Sequence, residues 1–171
     1  MILRPALEDS PVYYHYYFSI VKEEDLFKAL NNLLSSTVSF IRSIPPEKEN
    51  YKYADDKWTV KQVLSHIIDT ERIFIYRALR FSRKDATALP GYDENTYAPN
   101  ANCEHRTLAE MAYEFELVRR STISLFQYMT DEMLDFKGTA NKATVTPRSI
   151  GWMIAGHNVH HCRIIGERYL Y

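Results

Sequence analysis

Turn residues, sulfur and charge imbalance are all scarce in this chain. Only five of its 171 residues are glycine, fewer than a β-sandwich or barrel of this size ordinarily needs for its turns. Two cysteines, Cys103 and Cys162, stand far apart and form no CxxC pair. That excludes a disulfide framework and a thiolate zinc site, and it suits a reduced cytoplasmic setting. Lys+Arg total 21 against Asp+Glu 22, a net charge of -1 with no long run of either sign. Nothing here would hold a polyanion, so nucleic acid is not expected as a partner. No apolar run approaches the ~20 residues a bilayer span requires, and Met1-Ile2-Leu3-Arg4-Pro5 lacks the apolar centre of a signal peptide. No membrane partner is expected, and the reading is of a soluble, cytoplasmic protein. Internal repeats and low-complexity tracts are also missing. With no break in composition, residues 1–171 read as one domain, long enough to bury roughly 70% of its extended surface.

What the chain does have is helical periodicity. A first long helix is expected from Asp25, whose carboxylate can cap free N–H groups, to Ile44, where Pro45-Pro46 stops it. Leu26, Leu30, Leu33, Leu34, Thr37, Ile41 and Ile44 give it an i, i+3, i+4 stripe. A T-x-x-Q capping box, Thr59 to Gln62, starts the second helix, which runs to about Arg83 with Trp58 as a hydrophobic anchor before it. Thr107-Leu108-Ala109-Glu110 is a second capping box and opens a helix to about Met129. Gly138-Thr139-Ala140-Asn141 turns the chain, and Thr146-Pro147 starts the last helix with a capping hydroxyl and a proline at its first position. Residues 1–24 form an aromatic arm, with Tyr13, Tyr14, Tyr16, Tyr17 and Phe18 laid across the body. Residues 84–106 read as a loop of the length that usually serves function, with Gly91-Tyr92-Asp93-Glu94-Asn95 bordering a site. The fold class is therefore all-α, a four-helix bundle, in which metal sites are built from side chains on facing helices.

The histidines carry the chemistry. His157 and His161 are four residues apart on the last helix, so their Cβ atoms lie about 5 to 6 Å from each other, a spacing that suits one metal ion. Their rings project into the stripe of Ile150, Met153, Ile154, Ile164 and Ile165. Imidazoles there need partners, since an unsatisfied buried polar group costs about 1 to 3 kcal/mol; a metal is one partner, polar groups of another helix the other. His160 shares the face at i, i+3 and competes, while Cys162 projects away. His66 lies more than about 100° from the centre of the second helix's apolar face, on a flank. Asp69, three residues on, could accept its other ring N–H. Glu71 falls inside the apolar face and should be paired with an arginine or histidine. His15 and His105 read as packing and loop residues. Asn158 stands where an HExxH metalloprotease has its glutamate, which disfavours peptide hydrolysis by that mechanism.

Taken together in order and spacing, several fragments resemble the DinB/YfiT-like superfamily: Tyr51-Lys52-Tyr53-Ala54 through Lys57-Trp58-Thr59-Val60, Leu64-Ser65-His66 through Glu71-Arg72, Gly91-Tyr92-Asp93-Glu94, Gly138-Thr139-Ala140-Asn141, and Ala155-Gly156-His157 to His161 with Arg163-Ile164. The resemblance implies a small bacterial four-helix bundle that binds one divalent metal ion, zinc or nickel, through His66, His157 and His161, often within a homodimer. Three neutral nitrogens leave coordination positions open, as in catalytic rather than structural zinc sites. Relatives include thiol S-transferases that use low-molecular-weight thiols, a thiol-dependent isomerase, and proteins described as metal-dependent hydrolases. The expected function is thus a metal-dependent enzyme that activates a thiol or water against a small-molecule substrate. The alternative is a non-catalytic metal-binding or stress-related dimeric module. No general base is assigned; Asp69, His160 and Glu71 are the candidates.

Overall fold

Three of the four long helices of the computed structural model, which describes residues 1–171, begin at a side-chain cap that the sequence supplies. The four long helices are α2 (Leu26–Ser43), α3 (Val60–Ser82), α5 (Leu108–Phe126) and α7 (Pro147–Tyr169), and the shorter ones α1 (Val12–Ser19), α4 (Glu94–Asn100) and α6 (Asp131–Leu134). Reciprocal capping boxes close the first turns of α3 (Thr59 with Gln62), α5 (Thr107 with Glu110) and α7 (Thr146 with Ser149). Asp25 does precede α2, but its side chain makes no cap bond there. Its carboxylate instead accepts the Ile2 N–H at 2.8 Å and ties down the N-terminal segment.

Three stretches differ from the sequence expectation. Residues 84–106 are not bare loop, for they hold α4, capped by Asp93, and a 3-10 turn at Cys103–His105. The third helix stops at Phe126 and a new turn, α6, starts from a Thr130 cap. Gly138–Asn141 is half of a hairpin: β1 (Gly138–Ala140) pairs antiparallel with β2 (Ala143–Val145). Asn141 and Lys142 connect them at φ 50° and 64°, the left-handed pair that a two-residue hairpin loop demands. Strands of three residues are too short for an alternating pattern to register in the sequence.

Packing follows a diagonal plan. α2 and α3 each pack on α5 and α7, and chain neighbours α2 and α3 stand across the bundle from each other. α1 lies on α7, where the backbones approach so closely that a Cβ on Gly156 would come within 2.2 Å of the Tyr17 carbonyl oxygen. The segment before α1 is fixed too: Trp152 Nε1 donates to the Leu3 carbonyl at 2.9 Å, and Arg4 Nη2 donates to the Val21 and Glu23 carbonyls, both at 2.7 Å. No helix is long and apolar enough to cross a membrane.

The buried apolar residues fall into two clusters, one gathering Leu30, Phe74, Phe126 and Ala155, the other Leu34, Ile68, Val118 and Ile165. Between them sits a polar layer. Arg119 Nε and Nη2 donate to the two oxygens of Glu71 at 2.8 and 2.9 Å, and Thr122 adds a bond to Glu71 at 2.6 Å. Arg119 also reaches Asn158 Oδ1 at 3.2 Å, which takes a further bond from Thr37 at 3.1 Å. Every long helix thus contributes, and no enclosed side-chain nitrogen or oxygen lacks a partner. The partner expected for Glu71 is an arginine, from α5. Removing one side of such a pair strands the other charge, so Glu71→Ala or Arg119→Ala should cost about 3 to 5 kcal/mol in urea unfolding. Glu71→Leu combined with Arg119→Met should recover a large part of that loss. Equal losses in single and double variants would mean that pairing is not what the residues contribute.

Candidate metal centre

The capping box at Thr59 sets the start of α3, and His66 follows on the helix flank that faces α7. That flank explains its off-stripe projection, because a residue lining a cavity must sit at the edge of the apolar face rather than at its centre. From α7, His157 and His161 meet it. The ligand-capable nitrogens of His66, His157 and His161 all lie within 4.8 Å of one another. His66 Nε2 and His157 Nε2 are 3.0 Å apart, and the His157 and His161 ring centres are 4.4 Å apart. His157 is buried; His66 and His161 are half-buried.

Burial decides the charge state of these rings. It holds His66 down to about 4 and His161 down to about 3, with neighbouring histidines adding to the effect, and it places His157 well below the ordinary range. All three are neutral at pH 7 and each presents a lone pair. Thr70, one turn beyond His66, has its hydroxyl 3.4 Å from His66 Nδ1 and 2.6 Å from the Tyr92 hydroxyl.

The rings open on a cavity of about 400 Å³. Its walls mix aromatic and polar groups: Trp58 lies 5.0 Å from the His66 ring centre, and Tyr17 lies 6.1 Å from that of His157. Tyr92, Glu94 and Asn95 line it, so the 91–95 stretch does border the site. His160 lines it as well, outside the cluster of three, with Nδ1 3.2 Å from the Tyr16 hydroxyl. Asp69 does not back His66. It sits 3.6 Å from Arg72, and the Thr70 hydroxyl occupies the place by Nδ1. Glu71 is committed to Arg119 and Thr122 and does not line the cavity. Cys162 turns toward Asn158 and Thr37, and burial pushes its thiol up to about 11. The residues that sequence reasoning missed are Tyr13, Tyr14 and Tyr17 from the arm, Thr70 and Arg77 on α3, and Asn141 in the hairpin loop. For the tyrosines the aromatic cluster after Pro11 was the available signal; for Arg77 it was an i+11 spacing from His66, three helical turns on the same face.

Comparison with known proteins places the chain in a family. The sequence model of the DinB superfamily matches residues 29–165. A protein of Oceanobacillus iheyensis named "putative metal-dependent hydrolase" is 26% identical over 135 residues, spanning 76% of this chain and 73% of that one. The structure of YfiT from Bacillus subtilis, described as a probable metal-dependent hydrolase with an unusual four-helix bundle topology, superposes with a TM-score of 0.75 at 17% identity. It covers 83% of this chain and 82% of that one, a likeness of fold.

Depressed histidines make the metal-free protein sensitive to acid. The unfolded chain takes up protons first as pH falls below about 6.5, so stability present above that pH drains away toward pH 4 and then pH 3. A tenfold difference in proton affinity between folded and unfolded chain is worth about 1.4 kcal/mol. The thermal midpoint of chelator-treated protein should drop more steeply between pH 7 and pH 4.5 than that of a His157→Gln variant. Parallel curves would remove the buried histidines as the cause.

Proposed function

The chain belongs to the DinB superfamily, and from that membership and the convergence of its histidines we propose that it is a metal-dependent enzyme whose His66, His157 and His161 hold one divalent ion. The observation that carries this reading is three neutral imidazoles, drawn from two helices, whose nitrogens meet at the wall of an open cavity. The donor set fits: zinc–nitrogen distances of about 2.0 to 2.1 Å in tetrahedral geometry separate ligand nitrogens by roughly 3.3 Å. The 3.0 Å and 4.8 Å separations bracket that value. Zinc or nickel suits imidazole donors.

His66, His157 and His161 would hold the ion and leave coordination positions open, and the ion would supply Lewis-acid activation of a substrate carbonyl, water or thiol. The chain's own residues prepare the site. Coordination through His66 Nε2 requires its proton on Nδ1, which the Thr70 hydroxyl is placed to accept. Thr70 and Tyr92 share a hydrogen bond of 2.6 Å in which either hydroxyl can donate; with Thr70 as donor, the phenol proton of Tyr92 is free to turn into the cavity. Burial raises the Tyr92 hydroxyl above its ordinary range and keeps that proton on Oη. Trp58 and Tyr17 flank the rings of His66 and His157.

The relatives' names support hydrolysis, with water as nucleophile. Transfer to a low-molecular-weight thiol is the second reading and is supported by the family resemblance. A cavity of about 400 Å³ is the size for a small-molecule substrate and speaks against a purely metal-storing module. Two free cysteines favour a reducing, cytoplasmic location; the proposal includes a single domain over residues 1–171 that pairs as a homodimer, as the family resemblance implies.

Elemental analysis of untagged protein, purified without chelators, should find near-stoichiometric zinc or nickel, and His66→Ala and His161→Ala should each lose it. Ester turnover or thiol transfer should fall at least a hundredfold in the same variants. Absence of metal after adding either ion back would overturn the proposal.

A further inference from the structure

Arg77 is the one permanent cation among the residues lining the cavity, and it is only 6% exposed. A buried guanidinium ordinarily has a carboxylate, as Arg119 has Glu71. Arg77 has none. Its single hydrogen bond runs from Nη2 to the Pro90 carbonyl at 2.9 Å, and its guanidinium lies over the Phe74 ring, 5.5 Å from the centroid. Enclosed side-chain nitrogens in this protein all have partners. Nε and Nη1 of Arg77 have none and so are not enclosed; the side chain lines this cavity and also a smaller one of about 160 Å³ beside Pro90 and Tyr97.

The placement is as specific as the chemistry. Arg77 follows His66 by eleven residues, which returns to within about 20° of the same helix face, roughly 16 Å further along the axis. Its stacking on Phe74, three residues earlier, shows the side chain leaning back toward His66. The guanidinium and the histidine cluster are thus two ends of one cavity. Charge selects among anions. A phosphate brings close to two negative charges and calls for several donors, whereas here one cation stands alone and the other charged lining group, Glu94, is an exposed acid. A guanidinium presents two forks, Nε/Nη2 and Nη1/Nη2; with one Nη2 hydrogen on the Pro90 carbonyl, one fork of Arg77 remains, and one fork matches one carboxylate.

We infer that the substrate carries a carboxylate, which Arg77 binds at one end of the cavity while the group to be transformed lies at His66, His157 and His161. The second half rests on the metal-site reading above; the first half does not. The substrate is accordingly an elongated acid whose reacting group is several bonds from its carboxylate.

The test uses 6-phenylhexanoate and its neutral counterpart 6-phenylhexanamide, titrated calorimetrically into metal-loaded and chelator-treated protein. The acid should bind about tenfold tighter than the amide or better, with and without metal. That ratio should collapse toward one in Arg77→Gln, and metal content should be unchanged. Should Arg77→Gln fail to fold, Arg77→Lys keeps the charge without the fork, and the ratio should fall several-fold. No preference for the acid, or a preference that survives Arg77→Gln, would overturn the inference. So would one that vanishes on chelation, since the carboxylate would then be sitting on the ion. A protein without metal that still shows an Arg77-dependent preference would separate the two readings.

Discussion

Two charges with no access to water, Glu71 and Arg119, set the terms on which the four long helices can meet. Burying them is tolerable only because both are densely hydrogen-bonded: the carboxylate takes three hydrogen bonds, and the guanidinium spreads four over Glu71, Asn158 and the Leu30 carbonyl. The apolar clusters on either side of this layer would accept small slips of one helix past another. A hydrogen-bonded ion pair would not, because a slip of one residue strands a charge. Register between α3, α5 and α7 is thereby fixed at their middle.

The histidine cluster inherits that register. Asn158, which holds α7 to Arg119, is the neighbour of His157, and Glu71 lies five residues from His66. The apposition of His66 and His157 is therefore a by-product of the ion pair's geometry, extended outward to the wall of the cavity. Along α3 the same helix delivers a ring at one end of that wall, a hydroxyl next to it, and an unpaired guanidinium further on. Burial acts on these groups with opposite consequences. It keeps the imidazoles neutral and available as donors, yet leaves the arginine charged and without a counter-ion, so the unmet electrostatic demand sits on the substrate side.

Much of this was legible in the chain. Capping boxes at Thr59 and Thr107 and the proline after Thr146 marked helix starts that the structure has, and the stripe of α2 placed its core residues. Glu71 announced a buried partner because an acid cannot sit alone on an apolar face. Other features were illegible for physical reasons. Arg119 sits on a regular apolar stripe among flanking charges, and nothing local says that this arginine, rather than Arg120, turns inward. Asp69 and Thr70 are both close enough in sequence to His66 to reach Nδ1; helix geometry alone does not separate them, and the carboxylate is drawn to Arg72 instead. The β1–β2 hairpin is too short to leave a period, and only its left-handed Asn141-Lys142 pair distinguishes it from an ordinary loop.

The aromatic arm is joined to the body in a way that separates two kinds of change. Tyr13, Tyr14 and Tyr17 form one wall of the cavity, yet they precede residues 29–165, the span shared with the superfamily's sequence model. The histidines, the ion pair and Arg77 all lie inside that shared span. Within the arm, the exposed Tyr13 and the half-buried Tyr17 tolerate exchange better than Tyr14 and Phe18, which are buried in the core with Phe74 and Ala155, provided the contact at Gly156 is kept. A change at Tyr13 or Tyr17 would reshape that wall while leaving the three histidines and the ion pair in place.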